Sequence, residues 1–396
     1  MFEMPCGQEG VLPVQWLKKA VRENVIRSEI YKIPQASFQP ASLDLRLGET
    51  AYRLRSSFLP GDRRVLDTQD IQMEEFSLRD GAVLEQNRPY LIPLIEELNL
   101  PKDIRAKANP RSSTGRLDIF TRVITDHSHR FDEISGGYQG KLYLEVVSRS
   151  FTVKVKTGLS LNQLRLIKGI SVYDDEQIKE RHKDDPLILF NGGQLPFDDL
   201  DADDGLSLSV DLVGDKNGVV GYRAKKNSSL IDLSLIAQYE GSDFWEPIVA
   251  EYNRRLVLER EEFYLLLSAE GVRIPPTFAA EMTALDPTSG EFRTHYAGFF
   301  DPGFGYSSTG TLSGTRAVME VRAHDVPFMI QDRQKVCRLK FEKTIESPDL
   351  LYGTDVGSTY QDQGLTLSKH FRPMNLSGNP QFLLFDPGVV ADRRRA

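Results

Sequence analysis

The chain repeats itself, and that limits its fold more than anything else in the sequence. Around residue 83 it runs VLEQNRPYLIPLIEELNLP, and around residue 257 it runs VLEREEFYLLLSAEGVRIP. Val83, Leu84, Glu85, Tyr90, Leu91, Glu96 and Pro101 recur as Val257, Leu258, Glu259, Tyr264, Leu265, Glu270 and Pro275, all at one constant offset. SLDLRLG (42–48) has a shorter echo in SVDLVG (209–214), and LYLEVV (142–147) is echoed by AVMEVR (317–322). Ungapped matches of this kind mark two copies of one unit. At 396 residues the chain is long enough for each copy to bury its own core.

The repeated segments alternate apolar and polar residues and are bounded by Gly, Pro, Asn and Asp, which predicts strands. Helical spacing is rare. VQWLKKAVREN (14–24) has it, and EPIVAEYNRRLVLE (246–259) has it before running into a strand. The expectation is a mainly β protein with few short helices, divided into residues 1–190 and 191–396. The seam is placed in the acidic stretch RHKDDPLILFNGGQLPFDDLDADDG (181–205), read as a linker that could also carry short strands.

A net charge of −8 argues against a broad DNA- or RNA-binding surface, so any phosphate binding must rest on a local basic cluster. No apolar run reaches the length of a membrane span. MFEMPCGQEG lacks the basic and apolar regions of a signal peptide, and Cys6 and Cys337 are far apart, so a cytoplasmic setting is expected. Two cysteines so spaced form no Cys-x-x-Cys metal site. The histidines of HSH (127–129) read as loop residues without a metal.

Within YQGKLYLEVVSR (138–149), Leu142, Leu144 and Val146 alternate with Lys141, Tyr143 and Glu145, which puts Glu145 on the wet face of a half-buried strand. Glu320 holds the matching place in the second copy. A carboxylate kept in both copies reflects either a shared fold constraint or chemistry. Upstream, NPRSSTGR (109–116) gathers Arg111, Ser112, Ser113 and Arg116 beside Pro110 and Gly115. Arginine forks match phosphate oxygens, and hydroxyls and turn amides add neutral donors.

QPASLDLRLG, RSSTGR, HRFD and YQGKLYLE, in that order, resemble the dCTP deaminase branch of the dUTPase-like superfamily. The second copy's HYAGFFDPGFG (295–305) and the tail LYGTDVGSTYQDQGLTLSKHF (351–371) extend the resemblance over most of the chain. It implies two tandem dUTPase-like domains, each a distorted β-barrel of jelly-roll type, and a homotrimer, a pseudo-hexamer of domains. It implies conversion of dCTP to dUTP and ammonia without zinc, on a triphosphate carrying Mg²⁺. By the same resemblance Glu145 is the general base, and Ser112 and Arg116 orient it and the water. Arg111 and Ser113 hold phosphate. Ser128, Arg130 and Asp132 form the turn beside the base, and Tyr352, Tyr360 and Gln363 belong to the closing tail.

Two departures stand out. HSHRFDEISGGYQG is longer than the family's turn, and LDPTSGEF (285–292) replaces the basic cluster in the second copy, with Glu291 after Gly290. The expectation is therefore two rings, with working sites between first copies joining the Arg111–Arg116 turn of one chain to Glu145 of the next. Mixed sites, joining the turn of one copy to the carboxylate of the other, are the competing architecture. Three functions stay open: a dCTP deaminase, a dUTP-hydrolysing or bifunctional enzyme, and a non-catalytic nucleotide-binding trimer.

Overall fold

The computed structural model describes residues 2, 4, 7–285, 292–295, 298–306, 314–353, 355–356, 360 and 363–374, with Phe292–His295 as backbone alone. The chain is mainly β with few short helices, of which Val14–Arg22 and Asp175–Asp184 are the longest described. Among the described residues no helix is long and apolar enough to cross a membrane.

The first half places two sheets back to back. One contains Leu43–Arg46, Ser160–Lys168 and Ile104–Pro110; the other contains Thr50–Leu54, Pro89–Asn99, Gln139–Ser148 and Ile119–Thr125. The second half has a sheet built on Phe263–Val272, Val219–Ala224 and Thr315–Ala323. A further sheet holds Leu206–Ser209, Lys335–Lys343, Phe278–Ala284 and Phe299–Phe300.

The repeated residues carry repeated bonds. The Glu85 amide donates to Tyr90 Oη at 3.1 Å, and the Glu259 amide to Tyr264 Oη at 2.9 Å. The Glu96 carboxylate accepts the Arg46 amide at 2.7 Å, and Glu270 accepts the Ser209 amide at 2.9 Å. Glu145 pairs with Leu91 in register, as Glu320 pairs with Leu265. The repeat therefore preserves hydrogen bonds that satisfy backbone donors, which is a physical reason for those residues to recur.

The second half keeps a core of its own around Leu208, Tyr264, Leu266, Met319 and Leu339, and a second core is shared between the halves. Leu144, Val146 and Phe151 from the first half share one apolar core with Trp245, Phe263 and Leu265 from the second. The Phe151 and Trp245 rings stand 5.4 Å apart, both fully buried. Full burial of a large apolar side chain is worth about 1.5–3 kcal/mol, so the halves hold one another through this core. Val153–Val155 also pairs in parallel with Ile231–Asp232 across the boundary.

Three local expectations need correction. The stretch 246–259 is not helical: it forms the strands Trp245–Val249 and Arg255–Leu258, because pairing with Val219–Ala224 and Phe328–Gln331 overrides local helical spacing. The stretch 181–205 carries short strands, as its alternative reading allowed, rather than an open linker. Helix Asp175–Asp184 runs into it, opened by a capping box between Asp174 and Gln177, and Ile188–Phe190 pairs with Phe263–Val272. Lastly, Tyr143 and Glu145 do not face water. Tyr143 packs with Leu54, Val65, Leu91 and Ile124 under Phe58 and Leu66, a second layer that strand periodicity alone does not reveal.

Candidate functional site

A cavity of about 710 Å³ opens where the two halves meet. The first half contributes the basic turn. After strand Ile104–Pro110, Ser112–Gly115 makes a single helical turn, closed by the Thr114 and Gly115 amides donating to Arg111 O at 2.8 and 3.0 Å. Arg111 to Ser113, Gly115 and Arg116 line the cavity with Gln163 from the neighbouring strand. The second half contributes Glu320 from strand Thr315–Ala323, the aromatic wall Phe299, Phe300 and Phe304, and the tail residues Tyr352, Tyr360 and Gln363.

The tail grips the turn. The Arg116 guanidinium lies 3.8 Å from the centre of the Tyr360 ring and donates to Thr366 O and Gln363 Oε1, both at 2.8 Å. Ser368 Oγ donates to Ser113 O at 2.8 Å. Arg116 is 3% exposed, so stacking and hydrogen bonds offset the cost of burying its charge. Tyr352 is seated on the aromatic turn, its amide donating to Pro302 O at 2.8 Å. Gly303, at φ +99°, permits that approach, since a Cβ there would meet the Tyr352 backbone nitrogen at 2.8 Å.

Glu320 is 6% exposed, and burial pushes its carboxyl up to about 8, with the Arg116 charge pulling the other way. An acid that titrates near neutral pH can both take and return a proton. Arg111 forms an ion pair with Asp44 at 2.8 Å. Lys369 lines the cavity beside them, so with Arg116 and Arg372 four cations border a space also lined by Asp44, Asp301 and Glu320.

Glu145 is elsewhere. It is fully buried in the first half, accepts from Ser57 Oγ at 2.9 Å, and does not line the cavity. The expected site joins the turn of one chain to Glu145 of the next; within one chain the turn shares its cavity with Glu320. In the first half the turn leads from one sheet into Ile119–Thr125, which pairs with the strand of Glu145, but residues 57–58 cover the carboxylate. The competing mixed arrangement is the one a single chain presents.

The HRFD turn is also absent from this cavity. Ser128 Oγ donates to Arg130 O at 2.5 Å, Arg130 makes an exposed ion pair with Glu133, and Asp132 accepts the Val123 amide at 2.7 Å. Its counterpart in the second copy, around Asp301, lines the cavity instead. His127 and His129 contact Asp62, and no group of three or more His, Cys, Asp or Glu is placed to hold a metal among the described residues. Gly290, Glu291, Cys6 and residues 375–396 lie outside the described residues. Site residues not singled out from sequence are Asp44, Gln163, Asp301 and Lys369. Asp44 and Asp301 sit inside motifs already noted, SLDLRLG and DPGFG, which was the available signal.

Residues 8–170 match the family model of the 2'-deoxycytidine 5'-triphosphate deaminase (DCD) N-terminal domain, and residues 174–371 that of its C-terminal domain. The chain belongs to the 2'-deoxycytidine 5'-triphosphate deaminase family. A crystal structure of the family's enzyme from Agrobacterium tumefaciens is 44% identical, with a TM-score of 0.81 over 88% of this chain and 100% of that one. The "dCTP deaminase, dUMP-forming" of Sulfurihydrogenibium is 26% identical over 166 residues, 40% of this chain and 83% of its own. That of Methanothermobacter thermautotrophicus is 30% identical over 141 residues, 35% of this chain and 68% of its own. For a member of this family, a cavity with cations and a carboxylate titrating near neutrality has suitable chemistry on both sides.

Proposed function

We propose that the chain hydrolyses the 4-amino group of dCTP in the cavity between its halves, giving dUTP and ammonia, with Glu320 as general base. The observation that carries this reading is Glu320 lining the same cavity as Arg111 and Arg116 in a chain of the dCTP deaminase family. Ionised Glu320 takes a proton from water as the oxygen adds to C4 of cytosine. The same carboxyl passes that proton to N3 of the ring, where it stays, and then moves the proton of the new C4 hydroxyl to the amine, so that the C4–N bond breaks, ammonia leaves and the C4 carbonyl forms. Arg116 steadies the carboxylate electrostatically and Ser112 faces the same space. Arg111, Lys369 and the hydroxyl of Ser113 are assigned to the triphosphate, which arrives with its own Mg²⁺ as part of the substrate. Tyr352, Tyr360 and Gln363 hold the tail over it.

The dUMP-forming activity in the names of the two sequence relatives favours a second reading, in which another water cleaves between the α- and β-phosphates, so that dCTP yields dUMP, ammonia and pyrophosphate. Incubation with Mg²⁺ and dCTP, following ammonia and pyrophosphate separately, separates the two. Ammonia alone supports the first, both in equal amounts support the second, and nucleotide binding with neither product refutes both in favour of a regulatory protein. Chelating Mg²⁺ is expected to raise KM for dCTP.

We read the two halves as tandem dUTPase-like distorted β-barrels, supported by the matched Tyr90 and Tyr264 bonds. The chain is proposed to assemble as a homotrimer. Mass measurement in solution tests this, and a monomer that turns over dCTP at the same rate per chain would count against it.

A further inference from the structure

Asp44 stands between the large cavity and a smaller one of about 240 Å³, and lines both. Strand Leu43–Arg46 holds it opposite Gln163 at 4% exposure. Its Oδ2 takes Arg111 Nη1 at 2.8 Å, while Oδ1 is buried without a hydrogen-bond partner among the described residues. Lys369 borders both cavities as well and acts on Asp44 through its charge. The Lys369 backbone is fixed on both sides: its amide donates to Tyr360 Oη at 3.2 Å and its carbonyl accepts the Ala237 amide at 3.0 Å.

A buried carboxylate with one oxygen unsatisfied is costly to keep ionised. The other charged groups facing Asp44 are Asp301 and Glu96, and both oppose its ionisation. Each already has a partner, Asp301 with Arg165 at 3.3 Å and Glu96 with Arg46 at 2.6 Å. What keeps Asp44 charged is therefore Arg111 and Lys369, the two cations that a polyphosphate entering the cavity would claim.

We propose that Asp44 is a placeholder anion: it steadies Arg111 and Lys369 in the free protein, yields them to the phosphates of the incoming nucleotide, and takes up one proton from solvent as it does so. Asp44 thereby sets the affinity of the site for polyphosphates. This rests on the reading that the cavity takes a nucleoside triphosphate.

The sign follows from the charges. Burial has already raised the Asp44 carboxyl to about 6. Losing two cations and gaining phosphate charge raises it further. Binding then consumes a proton, and affinity falls as pH rises above 6. At pH 7.5, protonating a group that titrates at about 6 weakens binding by up to about thirty-fold.

The test is calorimetric titration with Mg²⁺ and α,β-imido-dUTP, which can be neither deaminated nor cut at the α–β position. Buffers of different ionisation enthalpy at pH 6 to 8 count the protons. Wild type is expected to take up close to one proton per site more than Asp44→Asn at pH 7.5. The variant should bind about ten- to thirty-fold tighter there, with the gap shrinking to about two-fold at pH 6. Equal uptake in both proteins assigns the proton to Glu320, which lines the same cavity, to Lys369 or to the phosphate, and overturns the proposal. Weaker binding by Asp44→Asn at every pH makes Asp44 a mere buttress for Arg111 and overturns it too. If Asp44→Asn does not fold, wild type decides alone, because uptake no greater than the free nucleotide's own phosphate titration refutes the idea. Ammonia release from dCTP by wild type is measured alongside. Turnover without the proton sinks only the placeholder role, whereas absence of both binding and turnover sinks the functional reading beneath it.

Discussion

Glu320→Gln should abolish turnover and yet make the protein more stable, a combination that few other roles would produce. The amide keeps the shape of the side chain but cannot accept a proton, and loss of a general base costs about two to four orders of magnitude in kcat. The stability change follows from burial. Glu320 titrates near 4.5 when unfolded and at about 8 when folded. A raised folded value means that the folded protein holds the proton more tightly. Its contribution is fully present below 4.5 and is lost as pH rises through 8. At about 1.4 kcal/mol per unit, the loss at pH 7 is about 3 kcal/mol, and it is under about 1 kcal/mol at pH 5. The glutamine variant never ionises and escapes this loss. Denaturant unfolding of both proteins from pH 5 to 8 should show a gap that widens with pH in favour of the variant, with ammonia release assayed on the same preparations. Near-normal turnover in Glu320→Gln, together with a dead Glu145→Gln, would falsify the assignment and return the catalytic carboxylate to the first half.

Glu145→Gln is expected to keep most of its activity, because Glu145 is buried against Ser57 and outside the cavity; steady-state dCTP kinetics check this. Arg111→Ala should chiefly raise KM, whereas Arg116→Ala should chiefly lower kcat, since Arg116 acts on Glu320 and ties down the tail. Wild-type kinetics in both variants would reduce the cluster to an ordinary solvated turn. Gln363→Ala removes one of the two tail acceptors of Arg116 and should weaken triphosphate binding several-fold, measured with the imido analogue. Removal of residues 350–396 should weaken it much further, but it also strips Leu367 and Phe371 from the shared core, so the point variant is the cleaner measurement.

The sequence alone was enough to show a repeated pattern and a chain built of strands, and to single out the 111–116 turn and the strand-borne glutamates as candidates for its polar chemistry. Those properties are local: a period of two along a strand, a fixed offset between copies, and donors crowded into one turn. The repeat also named Glu145 and Glu320 as a pair, and here the sequence reached its limit. Two equivalent carboxylates and one basic turn can be joined in more than one way, and nothing in the order of residues says which sheet faces which. Packing decided it. The halves close on one another through Trp245, Phe151 and Leu265, which sets the first half's turn against the second half's strand Thr315–Ala323. The segment around Ser57 and Phe58 meanwhile shuts over Glu145. Asp44 shows the same division. Its motif was visible, but its salt bridge to Arg111 and its unsatisfied oxygen exist only because distant strands are brought together in an interior that excludes water.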